Sequence, residues 1–572
     1  MAEIEIPMPW IKTLEGVRKS SIEYQDISTY GFMKLQAETV PDQLSMIFGV
    51  KGGKSLTYSE LLQNVKKMAV ALEQKGVKHG SKIALMLPNT PHYVITHFAL
   101  LALGATVVQT NPLYTGRELR HILSDSGATG IISITRFAPL INTILDDPES
   151  TLEWAVYGQI GDYMSPIIVF LGKYILRKLD DPAVPSHSKN FKYKDLLKSN
   201  DGSAFKEAKI NLTKDLALLQ YTGGTTGLSK GAALSYMNIS ANAQQARECI
   251  HMVPNGKGSV LTALPLFHSF ALTSCLGLAI MLGVPMILVP NPREQLPTGE
   301  VHTLIEKHKI TFVPGVPTLL SGLLNHPKAK TTDWSNVIVA LSGGAGLPKE
   351  LAKQFEKVTG KQVVEGYGLS ETSPLLTINP IGHDTVKPII GSIGLPAPDT
   401  IIRIANMDDT SKTMPLGENG EIVAKGPQVM NGYYNKPDEN KNVIVDGWFL
   451  TGDVAYMDEQ GFTYIVDRKK DMILVSGYNV YPLEVEQVLY SHPAVLEAAV
   501  AGLPHEVKGE IVAAWIILRE GMAASEEDIL KYCKENLAAY KVPKQITFRD
   551  ELPTSLIGKI LRRKLQEEAA SS

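Results

Sequence analysis

For roughly its first 460 residues the chain alternates short apolar runs with longer amphipathic ones, and this rhythm restricts the fold more than any other property. Lys82–Leu87 reads as a strand. Asn89-Thr90-Pro91 then opens a helix with proline in its first turn, which runs to Leu103 and stops before Gly104. Ala105–Gln109 reads as the next strand. Further strands are expected at Gly130–Ile134, Met286–Val289, Thr311–Val313 and Val337–Leu341, each beside a helical stretch. Such alternation implies an α/β fold: a large amino-terminal domain of mainly parallel sheet layered with helices.

The texture changes near Pro388. Short strands such as Ile401–Ile404 and Glu421–Ala424 are separated by turns like Pro415-Leu416-Gly417-Glu418-Asn419-Gly420, so residues 388–466 read as a small β-barrel-like or antiparallel subdomain. After the charged run Asp467-Arg468-Lys469-Lys470-Asp471 the pattern resets. A helix at Pro482–Ser491, strands at Val495–Ala501 and Val512–Leu518 and a helix at Ser525–Leu537 make a compact α+β unit. The expected division is therefore 1–468 and 469–572.

Length and composition narrow the function. At 572 residues the chain exceeds one compact core. Its net charge of -3 argues against a nucleic-acid partner. Cys249, Cys275 and Cys533 lie far apart without metal-site spacing, which suggests a reducing, cytoplasmic compartment. MAEIEIPMPW lacks the apolar core of a signal peptide, and EEAASS matches no address or lipidation box. Phe270–Val289 carries no charge and is long enough to span a bilayer, but Gly283-Val284-Pro285 interrupts it; a buried helix, a turn and a buried strand are expected instead. Residues 163–178 are apolar with cations at the end. An ordinary surface helix is expected there, with a membrane-surface or acyl-entry element as the functional alternative.

The segment Tyr221-Thr222-Gly223-Gly224-Thr225-Thr226-Gly227-Leu228-Ser229-Lys230-Gly231 follows the apolar run Leu216–Leu219. Missing β-carbons let backbone N–H groups approach phosphate oxygens, hydroxyls add donors and Lys230 adds a point charge. It is not a Walker A loop, because Gly-Lys-Ser/Thr is absent at the required spacing. This loop resembles the phosphate-binding signature of the adenylate-forming superfamily, which includes acyl-CoA synthetases, luciferases and peptide-synthetase adenylation domains. Further boxes follow in that family's order. Leu264-Pro265-Leu266-Phe267-His268, Gly366-Tyr367-Gly368-Leu369-Ser370-Glu371-Thr372, Trp448-Phe449-Leu450-Thr451-Gly452-Asp453, Tyr464–Lys470 and Gly558-Lys559-Ile560 resemble its remaining motifs. The run Asn431–Lys470, with the following Ile473–Pro482, is most similar to bacterial long-chain fatty acid–CoA ligases. Ser235-Tyr236 and Thr554 depart from the pattern, where many relatives have Thr-His and Lys.

The resemblance implies ATP, Mg²⁺ and coenzyme A as reaction partners, with a fatty acid activated as an acyl-adenylate. It implies that Thr222 and Glu371 hold the metal, and that Thr222, Gly223, Gly224, Thr225, Thr226, Lys230, Gly343, Gly344, Ala345, Gly366, Tyr367, Gly368, Thr372, Asp453, Arg468 and Lys559 surround the nucleotide. Within that set, Tyr367 offers a face to adenine, Asp453 accepts ribose hydroxyls, and Lys559 bridges the α-phosphoryl group and the attacking carboxylate. Arg468 assists at the ribose or phosphates; alternatively it only pairs with Asp467 or Asp471 at the surface. Phe267, His268 and Gly344 border the acyl group, with His268 gating the thiol. Catalysis would rest on Lys559, His268, Glu371 and Thr222. Lys470 occupies the family's hinge position and Gly477 lets the thiol arm pass. The pattern leaves room for an aryl- or other acid–CoA ligase, or a fatty acyl-AMP ligase serving a carrier protein. A silent lipid- or nucleotide-binding protein would be expected to have lost Lys559 or Glu371. Peripheral contact with a membrane face and homodimerisation are admitted, not required.

Overall fold

The structure is a computed structural model describing residues 6–175, 180–222, 229–476, 478–505, 509–555 and 560–570. Its described residues form four sheets. The first is seven-stranded: Asn190–Lys192, Trp154–Gly158, Gly130–Ile134, Lys82–Met86, Thr106–Gln109, Leu216–Thr222 and Lys230–Ser235 lie side by side in that order. Every pairing is parallel except the last, where Lys230–Ser235 folds back as a hairpin arm.

The second sheet is nine-stranded, with a parallel centre that includes Val260–Thr262, Met286–Leu288, Phe312–Gly315, Val339–Ser342 and Val363–Gly368. Its edges, Leu375–Ile378 with Leu395–Pro396 and Leu44–Phe48 with Ser55–Thr57, are antiparallel. The α/β class read from the alternating pattern is thus the fold observed.

Between the two sheets runs the helix Pro91–Ala102, buried at all its twelve positions. A helix apolar on every side has no face to offer water, so it becomes core. Tyr93, Phe98 and Leu101 join one hydrophobic cluster with Leu261, Ile287 and Phe312 of the second sheet. Even His97 is enclosed, and burial pushes its imidazole down to about 3, so it stays neutral.

The third sheet, Ile401–Ala405, Gly420–Lys425, Ile444–Val445, Trp448–Met457 and Thr463–Arg468, is antiparallel throughout. Leu395–Pro396 falls within the stretch read as the start of this β-rich region, yet it pairs at the edge of the nine-stranded sheet. The fourth sheet, spanning Ile473–Val475 to Gln545–Phe548, has its own core around Val485, Val500 and Ile516.

Two stretches differ from the linear reading. The expected surface helix over 163–178 is broken into Pro166–Phe170 and a wider π turn, Leu171–Ile175, where Gly172 weakens helical propensity; residues 176–179 lie outside the described set. The apolar run from Phe270 does form a buried helix, a left-handed turn at Gly283 and the strand Met286–Leu288, but a π segment, Leu272–Gly277, interrupts the helix. No helix among the described residues is long and apolar enough to cross a membrane. All three cysteines are buried and free.

Candidate active site

Parallel strands leave their loops at one edge, and ligands of open α/β sheets bind outside the carboxyl ends of the strands. Four of the expected segments leave such ends here. Thr222 ends Leu216–Thr222, the His268 segment follows Val260–Thr262, Gly343-Gly344-Ala345 follows Val339–Ser342, and Gly366-Tyr367-Gly368 ends Val363–Gly368.

Thr222 and Lys230 face each other across the base of the hairpin, with the Thr222 hydroxyl 3.5 Å from the Lys230 carbonyl. Gly223, Gly224, Thr225 and Thr226 lie outside the described residues. Glu371 sits in a short 3-10 turn, Ser370–Thr372, packed against both hairpin arms. It is buried; its Oε1 accepts from the Tyr433 hydroxyl at 2.7 Å and its carbonyl accepts from Met430 N at 2.8 Å. Thr372 is fully enclosed, and its hydroxyl is spent on Leu369 and Pro374, which fixes the turn. Gly368 is demanded by packing, because a β-carbon there would collide with the Pro374 carbonyl. Gly344 is demanded by conformation, at φ 77°.

Asp453, the residue expected at the ribose, and Arg468 are cross-strand partners in the third sheet. Arg468 Nε lies 3.0 Å from Asp453 Oδ1, and the Tyr367 hydroxyl donates to Asp453 Oδ2 at 2.6 Å. Both carboxylate oxygens are therefore already oriented. Burial, reinforced by the Asp453 charge, holds the Tyr367 phenol well above its usual value. For Arg468, burial works against the charge, but Asp453 and its neighbours outweigh it and the guanidinium is held above its usual range. The surface alternative for Arg468, a pair with Asp467 or Asp471, is replaced by this cross-strand pair.

The His268 segment is fastened from three sides. Asn89 donates to the Thr262 and Leu264 carbonyls at 2.9 and 2.8 Å and accepts from Leu266 N at 2.9 Å. Tyr93 donates to the Leu266 carbonyl and Gln220 to that of Phe267, at 2.8 and 3.1 Å. His268 caps the helix that follows, its Nδ1 accepting from Phe270 N at 3.3 Å. Gly343 lies where a β-carbon would meet the Phe270 ring at 3.0 Å.

A cavity of about 270 Å³ is lined by Gly344, Gly366, Tyr367, Asp453, Arg468 and Arg562, whereas Thr222, Lys230, His268 and Glu371 are not among its lining residues. Arg562 begins the last helix and is clamped to Glu486 at 2.8 Å, to Asp471 at 3.3 Å and to Asp467 at 3.7 Å. Burial, partly offset by Arg562, pushes the Asp467 carboxyl up to about 6. Asp467 also accepts from Leu483 N at 2.8 Å, tying the end of the third sheet to the helix Pro482–Ser491. Lys470 stands beside this knot, its ammonium drawn below the usual range by burial and then by Arg468. Gly477 and Lys559 lie outside the described residues. Among the described residues, Thr554 and Ile560 form an isolated bridge, and Arg293 reaches to the Ser555 carbonyl at 3.0 Å.

Several contacts had no foothold in the linear reading. Tyr433 lay inside a quoted family run, Asn431–Lys470, but nothing local pairs it with Glu371. Glu365, in the strand before Tyr367, lines the same cavity; burial pushes its carboxyl up to about 8. A carboxylate in the apolar run Val363-Val364-Glu365 was the available signal. Among the described residues no cluster of three or more His, Cys, Asp or Glu side chains forms a metal cage.

The profile described as AMP-binding enzyme matches residues 33–434, and that of the AMP-binding enzyme C-terminal domain matches residues 484–559. The long-chain-fatty-acid–CoA ligase of Bacillus subtilis is 40% identical over 570 residues, which cover 99% of this chain and 96% of that protein. Its counterpart in Yersinia pestis is 42% identical over 523 residues, 90% of each. A solved anthranilate–CoA ligase in complex with anthranoyl-AMP aligns with a TM-score of 0.83 at 25% identity, covering 96% of this chain and 98% of that one.

Proposed function

Since the chain belongs to the AMP-binding enzyme family, we propose that it is an ATP-dependent ligase joining a long-chain fatty acid to coenzyme A through an enzyme-held acyl-adenylate. The observation that carries this reading is one cavity edged by an oriented carboxylate, Asp453, by the glycine-bearing strand ends and by Tyr367, next to the turn of Glu371 and the hairpin of Lys230. The 40% identity to a fatty acid–CoA ligase over nearly the whole chain supports the substrate class.

A carboxylate resists nucleophiles because it is a delocalised anion. In the first step its oxygen attacks the α-phosphorus of ATP, the bond to the bridging oxygen breaks, and pyrophosphate leaves. In the second, the coenzyme A sulfur attacks the acyl carbon and AMP leaves. Both steps bring anions together, so the protein's contribution is positioning and charge stabilisation, without a covalent nucleophile of its own. Asp453, steered by Tyr367 and Arg468, holds the ribose. Lys230 faces the polyphosphate. Lys559 screens the repulsion between substrate carboxylate and α-phosphoryl group. The His268 segment borders the reacting carbonyl. Glu371 and Thr222 suit magnesium: a carboxylate and a hydroxyl are hard oxygen donors, and a cation that keeps several waters needs few protein ligands. When bound with ATP, magnesium supplies positive charge to the phosphate oxygens.

The two steps need different surroundings at one site. A large lobe, 1–468, and a small lobe, 469–572, turning near Lys470, would provide them, with Gly477 admitting the thiol arm. Lys470→Pro should spare adenylate formation and cripple thioester formation; equal loss of both would refute the hinge. Lys559→Ala should abolish formation of the mixed anhydride, measured as pyrophosphate release. The substrate class is tested by a panel from acetate to oleate, benzoates included, with and without coenzyme A. Preference for aromatic acids would overturn the fatty-acid assignment, and turnover without thioester formation would favour transfer to a carrier protein.

Contact with a membrane face belongs to the same reading. Ile167 and Phe170, 71% and 56% exposed on the helix Pro166–Phe170, lie beside the lysine-flanked turn Lys51–Lys54. Flotation with anionic vesicles, lost in Ile167→Ser/Phe170→Ser, tests it. Analytical ultracentrifugation tests the homodimer.

A further inference from the structure

Lys230, the cation assigned above to the polyphosphate, already has an anion of its own: its Nζ lies 2.6 Å from Glu439 Oε2. Glu439 does not arrive there on a loose side chain alone. The backbone from Met430 to Asn440 is strapped over the hairpin, with Ala233 N donating to the Gly432 carbonyl at 3.0 Å and Tyr434 N to that of Gly231 at 2.8 Å. Asn440 closes the strap by accepting from Tyr433 N at 2.6 Å and donating to the Tyr433 carbonyl at 3.0 Å. Pro437 and Asp438 then start a short helix whose first turn holds Glu439. The same strap puts the Tyr433 hydroxyl on Glu371 and the Tyr433 ring 5.6 Å from Lys230 Nζ. One segment thus touches both the cation of the phosphate loop and the carboxylate assigned to magnesium.

We infer that Glu439 is a resident counter-anion for Lys230, which the polyphosphate must displace on binding and which recaptures the lysine as pyrophosphate departs. The pair's own properties fit exchange. Lys230 is 29% and Glu439 45% exposed, and ion pairs so open to water are weak enough to be swapped without a large barrier. Displaced, the carboxylate stays within a screening length of the phosphates and keeps repelling them. Its effect is to loosen both ATP and pyrophosphate. That helps a reaction whose first product shares the site with the intermediate and must leave without dislodging it.

This inference rests on the assignment of Lys230 to the polyphosphate, and the test separates the two. Magnesium pyrophosphate and AMP are titrated separately, by calorimetry, into full-length wild type, Glu439→Gln, Glu439→Asp, Lys230→Met and the Lys230→Met/Glu439→Gln double variant. Glu439→Gln should bind magnesium pyrophosphate about three- to five-fold more tightly, the scale of one partly exposed pair. AMP affinity should be unchanged, Glu439→Asp should restore wild-type behaviour, and the gain should vanish in the Lys230→Met background. Unchanged pyrophosphate affinity in Glu439→Gln overturns the inference and leaves the ligase reading intact. So does a gain that persists without Lys230, which would be a general field effect, or an equal gain for AMP. Wild-type protein that binds neither probe would overturn both.

Discussion

The two ends of the proposed nucleotide site are built on opposite plans. At the sugar end, Asp453 is 5% exposed, and both its oxygens are fixed by Arg468 and Tyr367 within a strand pair and its neighbour. At the phosphate end, Lys230 is held by a half-exposed carboxylate on a strap. The first arrangement is preorganised: its groups are already desolvated and aimed, so little is lost when the ribose arrives. The second is provisional, holding a cation in place until another anion takes it. The difference matches the chemistry, because AMP must stay through both half-reactions while pyrophosphate must go after the first.

The strongest challenge to this contrast is Asp453→Ala. Removing the carboxylate deletes the charged acceptor proposed for the ribose hydroxyls, a loss of roughly 3 kcal/mol or about a hundred-fold in AMP affinity by calorimetry. A loss no larger than that of a surface pair would mean that the sugar end is not preorganised. Next in size is Tyr433→Phe, which deletes a hydrogen bond to a charged group and nothing else. The magnesium concentration for half-maximal pyrophosphate release should rise about ten-fold, with AMP affinity unmoved; a fall in AMP affinity instead would place Tyr433 at the other end. A third test sharpens the sugar side through pH. The Glu365 carboxyl titrates at about 8 in the fold, so the native state keeps a proton there that the unfolded chain has given up. Stability from this group therefore falls as pH rises from the ordinary carboxylate range to about 8 and is level above it. Glu365→Gln should lose less thermal stability than wild type between about pH 5 and about pH 9; parallel curves would show that the carboxyl is not held neutral.

Periodicity made the architecture readable, since strands and helices each leave their own repeat of apolar residues. Lys82–Leu87 and Ala105–Gln109 were read within one residue of the strands Lys82–Met86 and Thr106–Gln109, the usual uncertainty of element ends. The site segments were legible as motifs because each is local: a glycine, a hydroxyl or an acid at short range. Partnerships between motifs were not. Arg468 was offered Asp467 and Asp471, its neighbours in sequence, but successive strand residues point to opposite faces. Asp467 therefore turns toward Leu483 and Arg562, while Arg468 meets Asp453 across the sheet. Tyr433 and Glu439 were hidden for the same reason, because only the folded strap lays them beside Glu371 and Lys230.

The enclosed helix Pro91–Ala102 carries a different kind of consequence. Asn89 just ahead of it and Tyr93 within it suspend the segment ending in His268, so the stretch proposed to border the acyl group is hung from the protein's interior. Repacking at the buried Ile95 or Phe98 would tilt that stretch from within. On the proposed assignment, acid selectivity is then open to tuning from the core.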